Sequence, residues 1–234
     1  MNNVLDYIRW RGDLSFTQDP LNAIDSVIFS NLVYIRYPRE LVTDGTLTMN
    51  QVWDAMRQRE DYAQLGNPHQ LELLQTAAAS HRFGEVSLAQ FRSEFIPEED
   101  TQFAALANLL DDGTLAAAFR GTDNTLVGWK EDFNMSFQEA VPAQRLAVEY
   151  IEMLHERYGM PMSVCGHSKG GFAPWRCFFT AICITSSPFR PSANPARGRF
   201  SPGPERRAHQ KSAGSPTPQN AGRDSFFPPQ RGRP

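Results

Sequence analysis

The chain has 234 residues, 41% of them apolar and 21% charged, with a net charge of −3, which is enough for one medium-sized domain with its own core, or one domain plus an appendage. No apolar run approaches the ~18 residues a membrane-crossing helix needs, and Met1-Asn2-Asn3-Val4-Leu5-Asp6 has neither the basic start nor the apolar stretch of a signal peptide, so a cytoplasmic protein without a transmembrane segment is expected. Cys165, Cys177 and Cys183 show neither disulfide nor zinc-ligand spacing, and nothing in the sequence calls for a metal or organic cofactor.

The charge is unevenly distributed. Residues 1–171 carry 13 Lys and Arg against 24 Asp and Glu, whereas residues 172–234 carry 10 against 2 and hold 11 of the 17 prolines. From Ser186 onward the composition is Ser, Pro, Arg, Gly, Ala and Gln without apolar periodicity, so the expected organisation is a folded domain over 1–185 and a disordered Pro/Arg-rich tail over 186–234.

In chain order, Asp19 reads as an N-cap with Pro20 at the first helical position. Leu21, Ile24, Ile28, Leu32 and Ile35 then mark one buried helical face. Thr48 and Gln51 have capping-box spacing ahead of a helix carrying Val52 and Met56, and a further helix is predicted over Gln70 to Ala79; both are read as peripheral. The sheet is expected to begin later, with a β-hairpin formed by Gln102 to Ala107 and Thr114 to Phe119 around the turn Asp111-Asp112-Gly113. From Pro142 a helix places Ala143, Ala147, Tyr150, Ile151 and Leu154 on one side, Gly159 closes it, and Met160 to Cys165 forms a strand. A crossover of that length implies parallel pairing.

Directly after this strand stands Gly166-His167-Ser168-Lys169-Gly170, a G-x-S-x-G pattern, followed by Gly171. In that context it reads as a nucleophile elbow, a sharp turn that lifts a serine oxygen above the sheet edge, and Ser168 is the candidate nucleophile. Gly166 and Gly170 lack a β-carbon that would clash in such a turn. His167, next to the serine in the chain, cannot face its oxygen as a base and is assigned to packing or pocket lining. Lys169 would contribute its main-chain N–H as one oxyanion donor.

Three segments in order, Phe119-Arg120-Gly121-Thr122-Asp123, Gly128-Trp129-Lys130-Glu131-Asp132-Phe133-Asn134 and Gly166-His167-Ser168-Lys169-Gly170-Gly171, resemble the bacterial Mbeg1-like proteins, relatives of the class 3 lipases within the α/β-hydrolase fold. Trp10-Arg11-Gly12-Asp13-Leu14 and the helix from Asn22 to Ile35 share in the resemblance. It implies an α/β fold class, specifically a partial α/β-hydrolase with a mostly parallel sheet and a helical N-terminal region. It also implies a small-molecule or lipid ester as substrate, and a second oxyanion donor in the N–H, with the hydroxyl as a further candidate, of Thr122. The simpler alternative is that Arg120 and Thr122 merely end a strand, with Asp123 capping the next helix. Trp129, Phe133 and Phe137 are spaced as core residues, the alternative being a wall or lid over an acyl pocket.

In α/β-hydrolases the nucleophile is followed by an acid and then a histidine. After Ser168 this sequence has Glu205, Asp224 and His209, all within the Pro/Arg-rich segment, while His69, His81 and His155 precede the elbow in positions that suit surface roles. A chain stopping at the elbow would leave the hairpin and the last strand with exposed edges. The expectation is a serine hydrolase scaffold, truncated or frame-shifted after Gly171 and impaired in catalysis. The other reading is a non-enzymatic protein whose basic tail binds anionic partners, with no specific nucleic acid indicated. If Arg176 has a CGN codon, the out-of-frame third bases over Ala173 to Phe179 encode an apolar helix. Sequencing the DNA past the Gly171 codon checks this: another frame should continue into further strands, an Asp and a His, and two empty frames would overturn it.

Overall fold

Thr101–Leu109 and Leu115–Phe119 are mostly apolar and buried at nearly every position, the pattern of strands covered on both faces, and they lie inside the sheet. The computed structural model describes residues 3–123, 125–135 and 141–172. The predicted hairpin is present as β3 (Thr101–Leu109) and β4 (Leu115–Phe119), antiparallel, with Gly113 at φ +80° in the turn. Asp112 Oδ1 accepts from the N–H and hydroxyl of Thr114 at 2.9 and 2.6 Å, and Asp111 Oδ1 accepts from the Phe16 N–H at 2.9 Å, which ties the turn to the N-terminal region.

The sheet begins earlier than its apolar runs imply. β1 (Asp44–Thr48) pairs with β2 (Ser87–Ile96), and β2 pairs with β3, both antiparallel, while β4 pairs in parallel with β5 (Met162–Gly166), giving the order β1-β2-β3-β4-β5. Three of these four pairings are antiparallel, so the mixed α/β class holds and the mostly parallel sheet does not. β1 and β2 are hard to read locally. β1 carries a glycine and is half-exposed, and β2 has a register shift between Ala89 and Arg92, with Gln90 at φ +53°, which breaks the period-two alternation. β2 also covers the hairpin edge that was expected to lie bare.

Helices α1 (Val4–Arg11), α2 (Ala23–Leu32), α3 (Met49–Met56), α4 (Pro68–Ala78) and the short α5 (His81–Gly84) supply a cluster that packs on the Ala104, Leu106, Ala116, Ala118 and Cys165 face of the sheet. The other face, with Phe103, Ala105, Ala107, Leu115, Ala117 and Phe119, is covered by α7 (Pro142–Tyr158) through Ala143, Ala147, Tyr150, Ile151 and Leu154. α6 (Leu126–Asn134) lies between β4 and α7 in the chain, and α8 (Lys169–Phe172) follows the elbow. The hairpin, α7 and β5 are thus as expected, down to Gly159 at φ +61° closing α7.

The N-terminal half differs. α2 starts at Asn22, not Asp19: Asn22 Oδ1 accepts from the N–H groups of Ile24 and Asp25, and Asp25 accepts in return from the Asn22 N–H at 3.0 Å. Ile28 and Leu32 are buried as the periodicity requires, whereas Ile24 is 44% exposed and Ile35, also buried, lies beyond the end of the helix. α3 and α4 are core rather than peripheral, since Met49, Val52, Met56, Leu74 and Ala77 are fully buried; the Gln51 side chain does accept from the Thr48 N–H at 3.0 Å. The proposed domain boundary at 185/186, Phe137, Glu205 and His209 lie outside the described residues.

A buried charge organises this half. The Arg82 side chain, fully buried on α5, donates to Asp25 Oδ1 at 3.0 Å and Oδ2 at 2.6 Å and to the carbonyls of Leu14, Ser15 and Asp19, with its guanidinium 4.0 Å over the Phe16 ring. Asp25 also accepts from the Tyr7 hydroxyl at 3.0 Å. Removing one member of a buried pair strands the other charge and costs about 3–5 kcal/mol. Arg82→Met should therefore lower the unfolding free energy by about that amount in urea titrations, and a loss below roughly 1 kcal/mol would show that the pair does not organise the N-terminal half.

Candidate active site

Because β4 and β5 run parallel with Phe119 opposite Gly166, Arg120-Gly121-Thr122 and His167-Ser168-Lys169 leave the same end of the sheet side by side. Ser168 is exposed and has φ +53°, in the left-handed region. For a residue with a β-carbon this conformation costs of order 1–3 kcal/mol and persists only where surrounding contacts hold it. Close packing of the two loops supplies such contacts. A β-carbon on Gly170 would lie 2.6 Å from the Phe119 carbonyl oxygen and 2.8 Å from the Arg120 carbonyl, so the second glycine of the motif is required by backbone approach. Gly121 is as tightly placed, its virtual β-carbon 2.9 Å from both the His167 carbonyl oxygen and the Tyr34 hydroxyl. Gly166 is the last residue of β5.

Two braces join the loops. On one side the Tyr34 ring stacks on His167 at 5.7 Å and 14°, while its hydroxyl donates to the Thr122 carbonyl at 3.2 Å. Arg120 lies against the same ring, 5.9 Å from its centre, and 4.0 Å from Asp123. His167 is therefore a packing residue. Burial pushes its imidazole below the ordinary value, and Nε2 has no hydrogen-bond partner among the described residues.

On the other side stands α6. Its N-cap is Thr125, whose Oγ1 accepts from the Gly128 N–H at 3.1 Å; Asp123, the expected cap, instead accepts from the Thr125 N–H at 2.9 Å. Glu131 is fully buried, and its Oε2 lies 2.7 Å from Lys169 Nζ. The same ammonium donates to the Gln102 carbonyl at 3.0 Å and to Gln102 Oε1 at 3.2 Å. Glu131 further accepts from the N–H groups of Gln102, at 3.1 Å, and Ala143, at 3.0 Å. The next residue, Asp132, accepts the Thr122 hydroxyl at 2.5 Å through Oδ2.

This network alters the expected roles of two residues. Lys169 is expected to act mainly through its main chain, yet its side chain is a buried tether. The Thr122 hydroxyl is committed to Asp132, which leaves the N–H as the group able to donate to an oxyanion; among the described residues that N–H donates to nothing else. No described side chain hydrogen-bonds Ser168 Oγ. His69 and His81 are exposed, and His155 is half-buried on α7. Trp129 and Phe133 are 67% and 71% exposed, which rules out the core reading for both. Tyr34, Gln102, Glu131 and Asp132 are the residues that composition and spacing missed; the run Glu131-Asp132 within the second motif was visible, but its partners were not.

Residues 77–180 match the model of the Mbeg1-like family. Over this span the chain is similar to that family. The matched span includes the hairpin, α6 and both site loops, whereas Trp10 to Leu14 and the Asn22 to Ile35 region, read as part of the resemblance, precede it. No curated protein and no solved structure matches the chain.

The depressed imidazole of His167 gives the site a pH signature. The unfolded chain takes up this proton near the ordinary value of about 6.5, while the folded state resists it. The contribution is thus complete above that value and is lost as pH falls through the lower folded value. Urea midpoints compared at pH 7.5 and 5.5 should fall on acidification, and His167→Phe, which preserves a ring against Tyr34, should flatten that fall. Equal slopes for both proteins would refute it.

Proposed function

We propose that the Mbeg1-like region carries the nucleophile and oxyanion parts of a serine hydrolase of esterase type, related to the class 3 lipases, with Ser168 as the attacking group. The observation that carries this reading is the left-handed Ser168, exposed at the turn that follows β5, beside the loop that follows the parallel strand β4. The serine oxygen forms a bond to an ester carbonyl carbon as its proton passes to a base. The carbonyl oxygen becomes an oxyanion facing the N–H groups of Lys169 and Thr122. Collapse of the tetrahedral species expels the alcohol, which takes up a proton, and water then releases the acid from the acyl-serine. Two donors held about 3 Å from the oxyanion are each worth a few kcal/mol of barrier. The acyl group and the leaving alcohol stay open at the level of a small-molecule or lipid ester.

On this reading the described residues offer no base to Ser168 Oγ, and catalysis by them alone is impaired. His209, the one histidine after Ser168, sits among prolines and arginines. Loss of the base from a serine triad removes on the order of 10⁶ in kcat and leaves about 10³ over water from the oxyanion site and binding.

A fluorophosphonate probe tests both parts, since attack on phosphorus uses the same oxygen and donors. Ser168 should be modified slowly, imidazole added to solution should accelerate the modification by supplying the missing base, and Ser168→Ala should abolish it. No modification with or without imidazole would sink the hydrolase reading. Fast modification indifferent to imidazole would sink the impairment.

A further inference from the structure

We propose that Glu131 and Asp132 of α6 are positioning residues that set the separation of the two oxyanion donors; this rests on the hydrolase reading. Neighbouring residues on a helix project about 100° apart, so one acidic pair can reach two different loops. Glu131 grips the side chain of Lys169, the residue after the nucleophile. Asp132 grips the side chain of Thr122, at the end of the β4 loop. Each carboxylate thus holds the side chain of a residue whose own N–H faces the oxyanion, and the spacing between those N–H groups is fixed by one rigid turn of helix.

The rest of the network has the same sense. Glu131 also accepts from Gln102 at the start of β3 and from Ala143 in the first turn of α7, which anchors the clamp to elements on either side of α6. Gly128, one turn earlier, lets α6 come close: a β-carbon there would stand 2.7 Å from Gln102 Oε1 and 2.9 Å from Thr122 Cγ2. By taking the Thr122 hydroxyl proton into its own hydrogen bond, Asp132 fixes that side chain and leaves donation to the main chain. This gives the Gly128 to Asn134 motif a role that the nucleophile elbow alone does not assign.

The clamp is tested on the full chain by the rate of Ser168 modification with the fluorophosphonate probe at saturating imidazole, so that the missing base does not limit the comparison. Asp132→Ala and Thr122→Val should each slow modification roughly tenfold through a displaced donor, and the double variant should be no slower than either, because both remove one interaction. Asp132→Asn, which keeps an oxygen to accept the hydroxyl, should restore the rate to within roughly threefold of the parent. Glu131→Gln alone strands a buried ammonium, so the paired Glu131→Gln/Lys169→Met is used, and it should slow modification while leaving the urea midpoint near that of the parent. Additive losses in the Asp132 and Thr122 pair, or a parental rate in the Glu131 and Lys169 pair, would overturn the proposal.

If the parent chain is never modified, the hydrolase reading has failed, and amide hydrogen exchange decides the clamp by itself. Peptides spanning 119–123 and 166–170 should exchange faster in Asp132→Ala and in the paired variant, with 87–96 unchanged. Unaltered exchange in the two loop peptides would refute it.

Discussion

The Lys169 ammonium is almost wholly removed from water, and everything at the candidate site depends on that charge being matched. An unpaired buried ion costs several kcal/mol, so the residue after Ser168 can occupy its place only with Glu131 and the two Gln102 oxygens around it. Matching the charge forces three commitments at once: α6 must bring Glu131 inward, β3 must present Gln102, and α7 must begin where Ala143 can donate to the same carboxylate. The backbone at Ser168 inherits this rigidity. Its left-handed conformation is disfavoured in isolation and is retained between a tethered Lys169 and a Gly170 pressed against the end of β4.

Tyr34 completes the enclosure from the opposite side. Stacking on His167 and bonding to the Thr122 carbonyl, it touches both loops with a rigid side chain. The loops are therefore fixed relative to one another by an aromatic group from the N-terminal helical layer and by two carboxylates from α6. Arg82 and Asp25 make that layer a firm platform, since one guanidinium gathers the carbonyls of Leu14, Ser15 and Asp19 together with the Asp25 carboxylate. The stability of the helical layer and the precision of the site are linked through Tyr34.

What could be read from the sequence follows from how local each determinant is. The hairpin, α7 and the elbow are written in contiguous patterns: an apolar run, an Asp-Asp-Gly turn, a helical period ended by glycine, and G-x-S-x-G after a strand. β1 and β2 were missed because bulged, half-exposed strands dilute the alternation. The start of α2 was misplaced because Asp19-Pro20 and Asn22 with Asp25 are both valid signals, and Arg82, 57 positions beyond Asp25 in the chain, decides how that segment is held. α3 and α4 seemed peripheral because the apolar positions of a short helix do not reveal what lies over them. The Lys169 and Glu131 pair was illegible for the same reason: 38 residues separate its members, and a lysine in a serine motif reads as exposed by default.

α6 reverses the usual division of a surface helix, and this explains why it can act as a gauge between two donors. Its buried positions are Gly128 and Glu131, while Leu126, Trp129 and Phe133 face outward, 67–73% exposed. A helix docked by an apolar stripe can slide by fractions of an ångström at little cost, because burial of apolar surface has no direction. One docked by a carboxylate that accepts from an ammonium and two N–H groups cannot, because each bond loses strength steeply with distance and angle. Held in this manner, α6 transmits a fixed spacing to Thr122 and Lys169, and the tightness of that spacing comes from the polarity of the face it buries.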